Sequence, residues 1–151
     1  MFHEKRYIIY LVAKHNEIGR IGEDIAADFL KKKGLEIIVR NYWKPYGEID
    51  IVARGDGKLR FVEVKSVSCE IGGVGDPTVS LLAAGRQAEP RYRPEENVHP
   101  QKMKRLSRVI ESYLISHGTA GEWYFDVLAV YIDQKQRKSK VKWLKDIILD
   151  T

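Results

Sequence analysis

The chain has 151 residues, of which 44% are hydrophobic and 31% are charged. This composition excludes an intrinsically disordered chain, and the length suits one domain with a substantial core. The net charge of +5 is compatible with a polyanionic partner but does not establish one. A single cysteine, Cys69, excludes an intramolecular disulfide and a cysteine-rich zinc site, and it favours a reducing, cytoplasmic location.

The first 15 residues form an amino-terminal extension, and their apolar run is too short to span a bilayer. We expect an extra strand or a short helix there. A helix is predicted over residues 16–33, with Asn16 as its N-cap and Gly34 at its end. Its buried face consists of apolar residues at helical spacing, namely Ile18, Ile21, Ile25, Phe29 and Leu30. Small residues beside that face predict a close approach to a sheet, namely Gly19, Gly22 and Ala26.

Three strands follow, because β-branched and aromatic residues are enriched in runs bounded by turn residues. They cover residues 35–43, 48–54 and 59–65. The last two are joined by the sequence Gly-Asp-Gly-Lys at residues 55–58, which is a strong hairpin signal. Residues 66–99 contain several glycines and prolines and little apolar periodicity, so we predict a long loop there.

The remainder of the chain predicts a second helix and another buried strand. Pro100 is expected to open the helix, which runs to about residue 116. The nearly continuous apolar run at residues 123–132 is typical of a strand buried on both faces. Residues 135–142 are predicted as a loop or exposed hairpin, and residues 141–149 as a short strand or helix. The whole chain, residues 1–151, is therefore predicted as one α/β domain, a sandwich of a mixed sheet flanked by helices.

The predicted hairpin brings charged side chains together. If Arg54 and Leu59 flank the turn, Asp50 lies directly across from Glu63, and Glu48 lies across from Lys65. Alternation then places these four side chains on one face, and the other face carries apolar residues, namely Ile49, Ile51, Val62 and Val64. Such a pattern in a strand is often only a solvated face, and Glu48 has a second interpretation as an ion-pair partner of Lys65.

Two directly opposed carboxylates repel each other unless a cation lies between them. Asp50 and Glu63 have the hard oxygen ligands that suit Mg²⁺ or Mn²⁺, which take one or two carboxylates and fill their other positions with water and phosphate oxygens. Lys65 lies two residues beyond Glu63 and could position the attacking water or stabilise charge at a reacting phosphate. The cluster of Asp50, Glu63 and Lys65 therefore predicts a metal-dependent site that cleaves phosphodiester bonds.

Several motifs carry a resemblance to a known family. The segments G-E-I-D at residues 47–50 and F-V-E-V-K at residues 61–65 resemble the PD-(D/E)XK motif of the restriction-endonuclease-like superfamily. With G-x-x-G-E-x-x-A-x-x-F-L at residues 19–30 and R-N-Y at residues 40–42, the chain resembles the YraN-like family of small bacterial proteins. That family is considered related to archaeal-type Holliday junction resolvases. The resemblance implies a restriction-endonuclease-like fold.

The resemblance also implies roles for individual residues. Asp50 and Glu63 match the metal-binding acids, and Lys65 matches the catalytic lysine. Glu23 matches a helix-borne acid that would join the metal ligands, and it falls at the border of the apolar helical face. Lys102 matches a basic position that follows the core motif, where it could reach a phosphate or extend outward to solvent.

The chain departs from the family in its amino-terminal extension and in its long loop. The second half of that loop carries interleaved basic and aromatic residues, namely Arg86, Arg91, Tyr92 and Arg93. Such residues suit contacts to a nucleic-acid backbone and to bases, although solvated loop charges would look the same.

The function expected from these features is a Mg²⁺- or Mn²⁺-dependent endonuclease acting on DNA rather than RNA, with branched or structured DNA as the favoured substrate. Paired incisions across a junction need two sites, which is compatible with a homodimer. Two alternatives stay open: a nucleic-acid-binding protein of this fold without significant cleavage, and a structural module in which the charged cluster is an internal salt-bridge network.

Overall fold

A computed structural model describes the backbone of residues 2–72 and 100–149 and, within these ranges, the side chains from residue 16 onward. The elements in chain order are α1 (Phe2–Lys32), β1 (Glu36–Lys44), β2 (Gly47–Gly55), β3 (Lys58–Ser68), α2 (Pro100–Ser116), β4 (Trp123–Asp133) and β5 (Lys138–Leu144). Neither helix in this part of the chain has the length and apolar character that crossing a bilayer requires.

The strands form one mixed sheet in the order β1-β2-β3-β4-β5. Only the β3–β4 pair is parallel among the described strands, and the chain reaches β4 from β3 through α2. One helix packs on each face, so two apolar cores form. The α1 core contains Ala26, Leu30 and Val130, and the α2 core contains Phe61, Val109 and Phe125. The predicted sandwich, with a restriction-endonuclease-like fold, is confirmed.

The first helix begins much earlier than predicted. It starts at Phe2, so Asn16 lies inside the helix instead of capping it, and the extension is neither a strand nor a separate short helix. The physical reason is that no Gly or Pro interrupts residues 2–15, and an N-cap preference of about 1 kcal/mol is too small to start a new helix within a favourable run. The end of the helix is as predicted, with Gly34 at a φ of 85°.

Two glycines allow the helices to approach the sheet. A Cβ built on Gly22 of α1 would lie 1.7 Å from Ser66 Oγ of β3, so a larger residue there would displace the helix. On the other face, a Cβ on Gly47 of β2 would lie 2.9 Å from Val109 of α2. Gly19 was predicted to serve the same purpose, but a Cβ there would meet nothing within 4 Å.

Strands β3 and β5 differ in length from the predictions. β3 continues through residues 66–68, because Ser66 and Ser68 pair with Val130 and Ile132 of β4. The predicted loop therefore starts later than residue 66, and its residues 73–99 lie outside the described part of the chain. The exposed hairpin predicted near residue 135 is confirmed, with β5 starting at Lys138.

Two buried acids of β4 stabilise this architecture. Asp126 is completely buried and accepts hydrogen bonds from Arg60 Nη1 at 2.8 and 3.0 Å, from Trp143 Nε1 at 3.0 Å and from the backbone N–H of Asp146 at 2.9 Å. It therefore ties β3, β5 and the segment after β5 to the centre of the sheet.

Asp133 at the end of β4 holds the chain where it leaves β3. Its Oδ2 accepts a hydrogen bond from the Ile71 N–H at 2.9 Å, and its Oδ1 accepts one from the Gln136 N–H at 3.0 Å. These backbone donors hold the pKa of Asp133 below its ordinary value.

Candidate active site

The site begins with a break in the pairing of β1 and β2. Arg40 pairs with Ile51 and Tyr42 pairs with Ile49, but Asn41 and Asp50 between them do not pair, and Asn41 has a φ of 53°. Asparagine is among the few residues that tolerate this left-handed conformation. The side-chain alternation inverts there, because Ile51 packs in the α1 core and Ile49 in the α2 core. The prediction that Ile49 and Ile51 share one face is therefore wrong.

The pairing of β2 with β3 also ends at this point. The hairpin has the predicted register from Gly55–Lys58 to Ile51–Val62, and the ladder stops one pair before Asp50 and Glu63. Asp50 is therefore not a direct cross-strand partner of Glu63. Its Oδ2 instead accepts a hydrogen bond from the Val64 N–H at 2.7 Å, replacing the backbone acceptor that a continued ladder would supply.

Glu63 is buried, with 6% of its surface exposed, and two lysines contact the same carboxylate oxygen. Lys65 Nζ lies 3.1 Å from Glu63 Oε1. Lys102 of α2 also donates a hydrogen bond to that oxygen. Lys102 thus points into the site, and in this structure its partner is a protein carboxylate.

Asp50 has an unusual electrostatic environment. Burial raises its pKa, the neighbouring Glu63 and Glu23 carboxylates raise it further, and the Val64 N–H and Lys102 offset only part of this, so the pKa rises from 3.8 to about 7. For Lys65, burial acts to lower the pKa, but the Glu63 and Asp50 carboxylates outweigh it, and the pKa lies above its ordinary value. The surroundings of Asp50 therefore oppose its negative charge, whereas Glu63 is paired with two lysines.

Glu23 lies near these acids but has a different direct partner. Its Oε2 is 3.7 Å from Arg40 Nη2, and that guanidinium also contacts Asp24 Oδ1 at 2.8 Å. Within the described ranges, no three His, Cys, Asp or Glu side chains converge as a complete metal-binding set would. The predicted set of Glu23, Asp50 and Glu63 is thus present as a close pair and a more distant third acid. A pair is sufficient for Mg²⁺, which retains several waters.

A cleft of about 320 Å³ opens over the pair, lined by Gly47, Glu48, Asp50, Glu63, Lys102, Arg105 and Leu106. Glu48 is exposed at its rim. The interpretation of Glu48 as a partner of Lys65 is wrong, because the ladder that would align them ends at Ile51 and Lys65 is paired with Glu63. A larger cavity of about 700 Å³ lies between α2 and the segment after β5, and its lining is mostly apolar.

The sequence reasoning missed three residues of this region. Arg105 lines the cleft one helical turn after Lys102, a spacing of three residues that could have revealed it. Asn41 and Arg40 were quoted only as part of a motif. A positive φ within a strand, as at Asn41, leaves no mark in local sequence patterns. Neither does an ion-pair partner on another element, as for Arg40. Arg86, Arg91 and Arg93, predicted to bind substrate, lie outside the described residues.

The fold and the motif-bearing cluster are those of a nuclease-like protein of the PD-(D/E)XK class. The model of a family described as "Uncharacterised protein family UPF0102" matches residues 22–130. The chain is 34% identical over 127 residues to a UPF0102 protein of Flavobacterium psychrophilum, covering 84% of this chain and 91% of the relative. A UPF0102 protein of Moorella thermoacetica is 37% identical over 128 residues, with the same coverage. The chain belongs to the UPF0102 family, and the resemblance to the YraN-like family is confirmed.

Proposed function

We propose that this protein is a divalent-metal-dependent endonuclease that hydrolyses phosphodiester bonds in DNA, with branched or otherwise structured DNA as its favoured substrate. The observation that carries this proposal is a pair of neighbouring, mutually repelling carboxylates, the half-buried Asp50 and the buried Glu63, at the floor of a cleft with basic residues. The repulsion between them raises the pKa of Asp50 and destabilises its charged form in a metal-free protein, and a divalent cation bound by both carboxylates would reverse the sign of that contribution.

The residues of the cleft divide the chemistry between them. Asp50 and Glu63 would hold Mg²⁺ or Mn²⁺, and Glu23, whose charge helps to raise the pKa of Asp50, would join them as a third acid. The bound metal would supply Lewis-acid activation at the phosphate. Lys65 is anchored on Glu63 and would orient the water whose oxygen forms a bond to phosphorus as the bond to the departing sugar oxygen breaks. Its ammonium would also stabilise the extra negative charge of the transition state.

Lys102 and Arg105 suit the substrate backbone. Lys102 contacts Glu63 and lines the cleft, where its ammonium could donate to a substrate phosphate. Arg105 is exposed at the cleft and adds a second positive charge. Non-specific phosphate contacts of this kind give salt-dependent affinity.

A second function is favoured by one observation, the contact of Lys102 with Glu63. It shows that the protein itself can neutralise part of the acid pair. A protein of this fold could bind nucleic acid through its basic residues without significant cleavage. In such a protein, the Lys102–Glu63 contact would neutralise part of the acid pair in place of a metal ion. Such a protein would bind equally well in EDTA and would tolerate Asp50→Asn.

The deciding experiment compares the wild type with Lys65→Ala on labelled duplex, single-stranded, flapped and four-way DNA and on RNA, in Mg²⁺, Mn²⁺ or EDTA. We expect metal-dependent cleavage of at least one DNA substrate by the wild type and a loss of about 1000-fold in the variant. Lys104→Ala is a matched control, because Lys104 is exposed and contacts none of the cluster residues within the described ranges. Binding without cleavage in every metal would refute the nuclease and leave the binding function.

A further inference from the structure

The cleft over the acid pair continues into a second cavity along the same flank of α2. The second cavity has a volume of about 480 Å³ and is lined by Tyr46, Arg108, Glu111, Ser112, Ile115 and Ser116. Tyr46 directly precedes Gly47, which lines the cleft, and Arg108 follows Arg105 of the cleft by about one helical turn. The groove between α2 and the turn joining β1 to β2 therefore extends past the acid pair in one direction.

Three basic residues follow this groove at intervals of three positions, namely Lys102, Arg105 and Arg108, and we call them the basic row. Residues at this interval drift around a helix by about 60° per step, so each one meets a different neighbour. Lys102 contacts Glu63 of β3. Arg105 lies against β2, since a Cβ built on Gly47 would be 3.7 Å from Arg105 Cβ. The row thus leads from the acid pair toward the turn between β1 and β2.

Arg108, the outer member of the row, is positioned by an aromatic ring and keeps its donors free. Its guanidinium carbon lies 4.9 Å from the centre of the Tyr46 ring, a contact that restrains the plane of the group. The Arg108 guanidinium is exposed and has no hydrogen bond or ion pair with any residue in the described part of the chain. Arg40 and Arg60, in contrast, are paired with acids. A planar group with unused N–H donors matches two oxygens of a phosphate.

The basic residues of α2 do not stabilise the helix itself. Residues 100–108 contain four basic residues and no acidic one. The positive end of the helix dipole disfavours a cation in the first turn, where Lys102 lies, and like charges three or four positions apart repel each other. A bound polyanion relieves both effects. The charge pattern of α2 is therefore unfavourable for the isolated helix and favourable for a complex with phosphates.

Glu111 marks the far end of the basic row. It lines the second cavity about one helical turn after Arg108, and its carboxylate would repel a phosphate. Only the part of a strand between the acid pair and Glu111 can therefore be bound by this row. Arg105 and Arg108 lie about 4.5 Å apart along the helix axis, and their long side chains can reach neighbouring phosphates of one strand.

We propose that Arg105 and Arg108 bind consecutive phosphates of the nucleic-acid strand on one side of the scissile phosphate, and that Tyr46 positions the Arg108 guanidinium. This inference rests on the proposed function and deepens it. The substrate is a polynucleotide strand that extends past the cut toward the turn between β1 and β2, so a strand that ends at the cut on that side is a poor substrate. These contacts involve the backbone and carry no base sequence.

The first test measures binding separately from cleavage. Labelled single-stranded and duplex DNA are titrated by fluorescence anisotropy in EDTA over a range of salt concentrations with the wild type, Arg108→Ala and Lys104→Ala. We expect Arg108→Ala to weaken binding of both molecules roughly 10-fold and to reduce the slope of log affinity against log salt by about 1. Lys104→Ala is the matched control, because it removes one charge from the same helix at a residue that lines neither cavity, and it should weaken binding less than about 3-fold.

Three further variants separate positioning from charge. Arg108→Lys keeps the charge, so it should retain the salt slope, but it should lose part of the affinity because an ammonium has no planar fork. Tyr46→Leu should behave in the same way, and adding it to Arg108→Ala should cause no further loss. Glu111→Gln should strengthen binding by about 2-fold, because it removes a repelling charge. Chemical denaturation checks that each variant is folded.

The second test locates the contacts relative to the cut. The position cleaved by the wild type in Mn²⁺ is mapped, and single phosphates around it are then replaced by neutral methylphosphonates. We expect cleavage to slow roughly 10-fold for each of two consecutive replacements on one side of the cut and little on the other side. The effect of the outer replacement should disappear in Arg108→Ala, because the contact is already absent there.

The inference is overturned if Arg108→Ala and Lys104→Ala weaken binding equally, or if replacements on the two sides of the cut act equally. In either case, metal-dependent cleavage that is lost in Lys65→Ala leaves the nuclease standing. A wild type that binds DNA through Arg108 and cleaves none refutes the nuclease and retains the basic row as a phosphate-binding surface. A wild type that binds no nucleic acid refutes both.

Discussion

Asp126 and Asp50 are both carboxylates of central strands, but their surroundings are opposite. Asp126 is fully buried and accepts four hydrogen bonds, two of them from the Arg60 guanidinium. Asp50 accepts one backbone hydrogen bond among those of the described residues, and two other acids raise its pKa. A carboxylate that serves the fold is saturated with donors, whereas one that serves a ligand keeps part of its capacity free.

The largest expected effect is at Asp126, the carboxylate that accepts four hydrogen bonds. Asp126→Asn should lower the free energy of unfolding by about 3 kcal/mol, because the amide removes the buried charge that pairs with Arg60 and turns an N–H donor toward the donors that surround it. Chemical denaturation measures this. Asp146→Asn is the matched control, since Asp146 pairs with the same Arg60 atom at 3.1 Å but is largely exposed, and we expect a change within about 0.5 kcal/mol. If the two substitutions changed the free energy of unfolding equally, the four hydrogen bonds of Asp126 would not distinguish it from the exposed Asp146.

The same substitution at Asp50 should have the opposite sign. A carboxyl whose pKa rises from 3.8 to about 7 on folding binds its proton more tightly in the folded state, so stability falls as the pH rises through that window. In EDTA at pH 8, Asp50→Asn should therefore be more stable than the wild type, by on the order of 2 kcal/mol, and the gap should close toward pH 4. The amide oxygen can still accept from Val64.

Metal sharpens this prediction. Added Mn²⁺ should stabilise the wild type in thermal unfolding and leave Asp50→Asn unchanged, since a ligand that binds only the folded state stabilises it by mass action. If Asp50→Asn instead destabilises the protein at every pH and metal concentration, the acid pair belongs to a structural salt-bridge network and resembles Asp126 after all.

The smallest expected effect concerns the break in the pairing of β1 and β2, where Asn41 and Asp50 lie opposite each other without pairing. Asn41→Ala should cost about 1 kcal/mol, because alanine disfavours the φ of 53°, and Asn41→Gly should cost only a few tenths. Asp56→Ala is a control with the same backbone strain, at a φ of 52° in the turn between β2 and β3. Only the change at Asn41 should alter the pH dependence of stability and metal-dependent cleavage, because only that break lies opposite Asp50. Identical behaviour of the two alanine variants would contradict this.

The sequence was informative where local chemistry decides the structure. The turn at residues 55–58 determines the hairpin register, which is correct as far as Ile51 and Val62. The buried face of α2 follows from helical spacing and is also correct, with Leu106, Val109, Ile110 and Tyr113 buried. The motifs that carried the family resemblance were equally local, and the family comparison confirms them.

Prediction failed where distant residues decide. At Glu63, β3 loses its antiparallel partner β2, while its parallel pairing with β4, which begins at Leu59, continues to Ser68. No pattern within the hairpin marks that loss. The donors that saturate Asp126 come from residues up to 66 positions away in the chain, so the apolar pattern of its strand gave no sign of them. The sequence likewise left open whether Lys102 reaches a phosphate or extends to solvent, and in the structure Lys102 contacts the Glu63 carboxylate.

The bond between Asp133 and the Ile71 N–H has a consequence for how this family can diversify. It holds the chain at the exit of β3, and Pro100 starts α2, so both ends of the intervening stretch are set by the rigid domain. The entropy of closing such a stretch grows only with the logarithm of its length, at about 0.6 kcal/mol for each doubling. Relatives can therefore gain or lose residues between these two points at little thermodynamic cost while the acid pair and the sheet remain unchanged.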